Sequence, residues 1–153
     1  MTISFGNQQS FRVVTCFLIR DGRILILRRS DKAGTFQGKW AAVSGFIESY
    51  PQSQSVLEIN EETGLEAADV ELVRAALPFE VDDEDNNVLW VIHPYLYKVI
   101  SQKEISIDFE HFEYEWIEPK NLSRYDTVLG LQEALNRVLD EEEEVYGNAE
   151  ICS

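Results

Sequence analysis

Apolar residues recur along this chain in two rhythms, and the rhythms lay out its elements. From Phe11 to Ile19 they fall on both parities (Phe11, Val13 and Phe17; Val14, Cys16 and Leu18), which predicts a strand covered on both faces. Arg20-Asp21-Gly22-Arg23 places Asp-Gly between that run and the next, the mark of a two-residue hairpin turn. Ile24 to Leu27 is the returning strand, and it delivers Arg28 and Arg29 to its far end. Residues 30–44 read as a loop carrying Lys32, Gly34, Gly38, Lys39 and Trp40, and Val43 to Glu48 as a short strand and a turn. A helix is expected from about Tyr50 to Thr63. Ser49 and Gln52 have the spacing of a capping box, Pro51 falls in the first turn where its missing N–H costs nothing, and Gly64 supplies a left-handed C-cap. Val56 and Ile59 mark the buried face of that helix, with Glu58, Glu61 and Glu62 turned away from it.

The pattern continues with a strand from Val70 to Phe79, then Asp82 to Asn87. This acidic turn lacks the central Gly and terminal Glu of a calcium loop, so it reads as a solvated tip. Val88 to Ile100 is a long strand containing Pro94, which implies a bulge or a sheet edge there. Phe112 to Ile117 is the last strand. Val128 to Glu144 is an amphipathic helix with Leu131, Leu135, Val138 and Leu139 on one side. Asp140 to Glu144 would put acids at the negative pole of its dipole, which favours fraying. The fold class is α/β: a mixed sheet, because of the antiparallel hairpin, layered between helices.

A chain of 153 residues is the size of one domain with one core, with residues 1–10 and 145–153 as loose tails. No run approaches the roughly 18 apolar residues of a membrane span, and no leader pattern opens the chain, so a soluble cytoplasmic protein with no membrane partner is expected. A net charge of -15 argues against a nucleic-acid polymer as partner, since its backbone calls for a basic surface. Cys16 and Cys152 have no metal or redox spacing, and Cys16 reads as a small core residue.

The candidate chemistry lies in Glu58-Ile59-Asn60-Glu61-Glu62-Thr63-Gly64-Leu65. Helical spacing of i, i+3 and i+4 gathers the three carboxylates within an arc of about 100°. Like charges on one stripe repel, and a hard divalent cation with oxygen ligands reverses that sign. Taken alone, such a stripe is more often a solvated helix face than a metal site.

What surrounds the stripe changes the picture. Gly38 to Glu48 followed by Leu57 to Leu65 resembles the Nudix hydrolase family, whose box reads G-x5-E-x7-R-E-U-x-E-E-x-G-U with U a bulky apolar residue. The half E-U-x-E-E-x-G-U matches in full at Glu58 to Leu65, and Gly38-Lys39-Trp40 resembles the family's entry loop. Two departures stand out. The box Arg falls on Leu57 and its first Glu on Ser49, and the turn after Gly45 is about two residues short. The absent pair is commonly an ion pair joining loop to helix, and Ser49 capping with Leu57 packing is the expected replacement.

The resemblance implies a curved mixed sheet in an α/β/α sandwich. It also implies hydrolysis of the diphosphate linkage of a nucleotide or nucleoside-diphosphate conjugate, with Mg²⁺ or Mn²⁺ as cofactor. Glu58, Glu61 and Glu62 would be the metal ligands, with a carbonyl from Ser44 or Gly45. Glu110 is the candidate for a further Glu from a late loop, as ligand or base, with Glu113 and Glu115 behind it, while Glu58 is an alternative base. Arg28, Arg29, Lys32 and Lys39 flank the expected cleft as phosphate contacts. Trp40 is a core residue or a stacking surface, and His93 and His111 are structural. A homodimer is possible within such a family, and the alternative function is a nucleotide-sensing or protein-interaction domain of the same fold without turnover.

Overall fold

The computed structural model describes residues 8–139. Eight strands form one sheet, and the elements run β1 (Gln9–Arg20), β2 (Arg23–Arg29), β3 (Trp40–Ala41), β4 (Val43–Phe46), α1 (Pro51–Thr63), β5 (Val70–Ala75), β6 (Phe79–Asp83), β7 (Val88–Val99), β8 (His111–Ile117) and α2 (Leu131–Leu139). Short 3-10 turns cover Ala67–Asp69 and Pro119–Arg124.

β1 is the hub. Its parallel partner is β7, from Gln9↔Val88 to Ile19↔Lys98. Its other edge is shared, with β4 antiparallel over Val13 to Cys16 and β2 beyond the hairpin. Both turn residues of that hairpin have positive φ, Asp21 at 53° and Gly22 at 78°, so the turn follows the strand twist as the Asp-Gly pair predicts. β8 closes the far side of β2.

The strand expected over 70–79 is two strands, interrupted at Leu77-Pro78. They pair in turn with opposite halves of β7, β6 up to Ile92 and β5 from Tyr95 onward. Pro94 therefore sits neither in a bulge nor on an edge strand, as expected from its residue type, but at the gap between two partner strands. Its carbonyl accepts the Ala76 N–H at 3.0 Å. Its nitrogen faces the same gap, where no donor is called for. The irregular register lies in β5, between Leu72 and Arg74.

Alternation along the strands divides the core. Phe17, Ile24, Ile26, Trp90 and Trp40 pack with Leu131, Leu135 and Val138 of α2 on one face. Val14, Cys16, Leu18, Leu25 and Tyr97 pack with Ile59 of α1 on the other. This is the α/β/α sandwich. Among the described residues, no helix is long and apolar enough to cross a membrane.

Helix α1 departs from its expected orientation. Its buried residues are Gln54, Ser55, Ile59, Glu62 and Thr63, and Glu62 is only 3% exposed, whereas the sequence pattern turns Glu62 outward. Polar residues enter this interface because each finds a partner. Ser55 and Tyr97 share a hydroxyl–hydroxyl hydrogen bond of 2.5 Å, and Thr63 donates to the Ile59 carbonyl at 2.6 Å. The capping box does not form. The N-cap is Tyr50, without a side-chain hydrogen bond, and Pro51 alone starts the helix. Gly64 ends it at φ 80° as expected. The second helix is described to Leu139, so the expected frayed end, Cys152, the C-terminal tail and residues 1–7 lie outside the described residues; Gln9 and Ser10, expected in a loose tail, are instead held in β1 opposite Val88 and Leu89.

Candidate active site

The site forms where β4 ends against α1. Gly45 has no side chain because Glu58 occupies the space: a Cβ there would lie 2.1 Å from the Glu58 Cδ. Next to it, the Ser44 N–H donates to Glu62 Oε1 at 3.3 Å. Glu58 Oε2 accepts from the Gln54 amide at 2.9 Å, and the Glu48 N–H donates to the other end of that amide, Gln54 Oε1, at 3.2 Å. Behind Glu62 stands buried His111, whose Nε2 is 3.9 Å from Glu62 Oε1 and whose Nδ1 donates to Asp108 Oδ1 at 2.7 Å. The loop holding Asp108 and Glu110 is tied to the end of β2: the Ser30 N–H donates to the Glu110 carbonyl at 2.7 Å and Ser30 Oγ to the Phe109 carbonyl at 2.8 Å.

In front lies a cavity of about 460 Å³. Its lining includes Glu48, Glu58, Glu61, Glu110 and Arg29 beside Ser44 and Gly45. It also includes apolar walls from Phe36, Phe46, Trp90, Ile92 and Leu131. The Phe46 and Trp90 rings lie 6.2 Å apart at 30°, and Phe36 is 6.2 Å from Trp90. Trp90 Nε1 is spent on Asp83, at 3.2 Å, so the indole offers the cavity an apolar surface.

Charge in the site is one-sided. Burial raises the Glu62 carboxyl well above its usual range, and the charges of Glu58, Asp108 and Glu110 push the same way, against the Ser44 hydrogen bond. Burial also raises Glu58, the Gln54 hydrogen bond opposes it, and Glu61 adds to the rise. Among the described residues no lysine or arginine forms an ion pair with Glu58, Glu61 or Glu62. As they stand, no three acidic, histidine or cysteine side chains among the described residues converge to enclose an ion. The donor set fits a hard divalent cation in its chemistry, being carboxylate oxygens with uncompensated repulsion beside backbone oxygens of β4.

The predicted residues separate. Glu58, Glu61, Gly45, Glu110 and Arg29 come together on the cavity, and Glu62 lies buried behind them. Arg28 does not line it. Its guanidinium bonds the Gly38 carbonyl at 3.0 Å and Glu113 at 3.0 Å, against the Phe112 and Trp40 rings. Lys39 pairs with Asp126 at 3.0 Å, and Lys32 is exposed away from the cavity lining. Glu115 accepts from Tyr125. Trp40 is core, His111 is built into the site, and the aromatic walls and Gln54 were not foreseen. Gln54 had one local signal, its i, i+4 spacing from Glu58.

A mixed sheet between two helices, with a carboxylate-lined cleft at the end of a strand, defines an α/β/α-sandwich domain with an acidic site. The NUDIX domain model matches residues 10–138. The chain belongs to the Nudix family and is a Nudix pyrophosphohydrolase. It is 27% identical over 132 residues to the nucleoside triphosphatase NudI of Escherichia coli O139:H28, covering 81% of this chain and 94% of that one. Among solved structures it is similar to the MutT protein of Methanosarcina mazei Go1, with a TM-score of 0.71, 18% identity and coverage of 88% and 96%. It is also similar to the MutT NUDIX hydrolase of Burkholderia pseudomallei, with a TM-score of 0.64, 25% identity and coverage of 86% and 99%.

Two outcomes follow from this geometry. The raised Glu62 carboxyl means the folded state holds a proton that the unfolded chain has released above the ordinary carboxylate value of 4.5. Stability of the metal-free protein therefore falls as pH rises through the interval above 4.5, and Glu62→Gln flattens that fall and melts higher at neutral pH. Melting curves across pH check this. Gly45→Ala folds, because its Cβ meets a flexible side chain, but it displaces Glu58 and lowers turnover at least about 10-fold. Full turnover in that variant would mean the Glu58 placement is immaterial.

Proposed function

We propose that this enzyme hydrolyses the diphosphate linkage of nucleoside triphosphates or nucleoside-diphosphate conjugates, with Mg²⁺ or Mn²⁺ as cofactor. The observation that carries the reading is a single cavity lined by both carboxylates with an arginine and three aromatic side chains. A polyphosphate joined to a flat organic group has chemistry for both kinds of wall. The likeness to a nucleoside triphosphatase over most of both chains supports the same reading.

Glu58, Glu61 and Glu62 with the Gly45 carbonyl would hold the metal, which supplies charge neutralisation on phosphate oxygens and acidifies water when bound. Arg29 donates from Nε and Nη2 to Thr35, at 2.7 and 3.3 Å, which leaves Nη1 for a phosphate. Glu110 forms no ion pair among the described residues and takes the proton of the attacking water. The water oxygen bonds to phosphorus, and the bridging oxygen leaves with the electron pair of the broken bond. Among the described residues that line the cavity none is an amide or imidazole, and the Phe36, Phe46 and Trp90 rings hold the base by stacking and fit. Selection among bases then follows size, which a hydrophobic pocket discriminates by about 10–200-fold.

The test is a panel of NTPs, ADP-ribose, NADH and dinucleoside polyphosphates at alkaline pH with Mg²⁺ or Mn²⁺, with the nucleotide products separated and quantified by chromatography. Turnover of a nucleotide is expected to need metal and to fall at least about 10²-fold in Glu61→Gln. Millimolar Mg²⁺ is expected to raise the melting temperature of the wild type, because it binds the folded state. Turnover that survives chelation, or a panel with no nucleotide hydrolysed, rejects the reading.

A further inference from the structure

We infer that Gln54 is a positioning residue that aims Glu58 at the metal, one neutral side chain joining loop to helix where the Nudix box places an ion pair. The inference rests on the metal reading above. Gln54 is 7% exposed and its amide is used at both ends: Oε1 accepts the Glu48 N–H at 3.2 Å and Nε2 donates to Glu58 Oε2 at 2.9 Å. One contact fixes the loop that follows Gly45, and the other fixes the carboxylate that packs on Gly45.

The positions that would carry the ion pair do not do this work. Leu57 is 47% exposed, so it does not pack as a replacement, and Ser49 caps nothing, since the cap of α1 is Tyr50 without a side-chain bond. The expected substitution by Ser49 and Leu57 is therefore corrected to Gln54. The short turn explains why Gln54 is in reach. With fewer residues between Gly45 and Pro51, the Glu48 N–H lies over the first turn of α1, where Gln54 projects.

The residue type is constrained by both bonds. Asn is one methylene shorter, ionised Glu has no donor for Glu58 and adds a like charge, and Met fills the volume with neither group. A neutral donor also differs from an arginine in its effect. It orients Glu58 while leaving the full carboxylate charge uncompensated, so Glu58 turns to the metal with no competing cation. Loss of such an orienting partner costs about 10–100-fold in metal affinity.

The measurement is Mn²⁺ binding to the full chain, read as free Mn²⁺ by electron paramagnetic resonance, beside turnover against Mg²⁺ concentration. Gln54→Met is expected to weaken Mn²⁺ binding about 10–100-fold, with kcat recovering as metal saturates. Ser55→Ala, which removes the neighbouring bond to Tyr97, is expected to lower the melting temperature and leave the metal constant alone. In a Glu58→Gln background Gln54→Met should add nothing, because its action runs through Glu58. Should Gln54→Met fail to fold, Gln54→Asn, which reaches only one partner, carries the same expectation. Wild-type metal affinity in these variants, or an undiminished effect in the Glu58→Gln background, overturns the role of Gln54 alone. A wild type that binds no Mn²⁺ at millimolar concentration overturns the metal reading and this inference with it.

Discussion

Glu62 is a carboxyl group buried against the backbone of β4, and among the described residues no lysine or arginine pairs with it. Burying such a group without a counter-charge is costly, and the usual remedies are a proton, a cation or hydrogen bonds. This molecule supplies one backbone N–H from Ser44 and, at 3.9 Å, the edge of a histidine whose other nitrogen is held by Asp108. Glu58 adds a second half-buried carboxyl, pressed onto Gly45. The protein therefore holds two carboxyl groups whose charge, once they ionise, none of the described lysines or arginines pairs with, at the place where a cavity opens. A fold optimised for stability alone would not keep it there, and local breaches of that kind gather at functional sites.

Holding two repelling carboxylates in place requires a stiff base, and the sheet provides it. β1 has paired neighbours on both edges and packed side chains on both faces, with α2 on one and α1 on the other. β4, which carries Ser44 and Gly45, pairs with β1 opposite Val14 and Thr15, so the site backbone is anchored to the best-connected strand. The polar contacts of α1 serve the same end. The Ser55–Tyr97 bond ties the helix to β7, and the Ser106 N–H donates to the Thr63 carbonyl at 2.9 Å, which ties its last turn to the loop leading to Asp108. Both sides of the carboxylate cluster are thus fixed to the same sheet.

Local signals in the sequence were sufficient for the hairpin at Asp21-Gly22, the C-cap at Gly64, the glutamate stripe and the double-faced first strand, because each depends on neighbours a few residues away. The rotation of α1 was not legible. Hydrophobicity assigns Glu62 and Ser55 to solvent, and only the backbone of Ser44 and the distant hydroxyl of Tyr97 make their burial acceptable. The fates of Arg28 and Lys39 depended on Glu113 and Asp126, more than eighty residues away, which turned two expected phosphate contacts into structural ion pairs. Pro94 shows the same limit. Its residue type announces a missing donor, but only the split between β5 and β6 shows where that loss is harmless.

Under the function proposed, the charge pattern also shapes how a substrate enters. The chain carries -15 overall, and among the described residues that line the cavity Arg29 is the one cation, against four glutamates. Beyond roughly 8 Å the net field is screened at physiological salt, so the deciding interactions are those at the mouth. There a bare polyphosphate meets repulsion that a single arginine does not cancel, while the apolar walls favour only the organic end. Divalent cations arriving with the phosphates or already among the carboxylates reverse the balance at the same spot where the chemistry needs them. On that reading one arrangement would make both binding and hydrolysis conditional on the metal, and it would leave the aromatic walls to accept flat groups of differing edge chemistry.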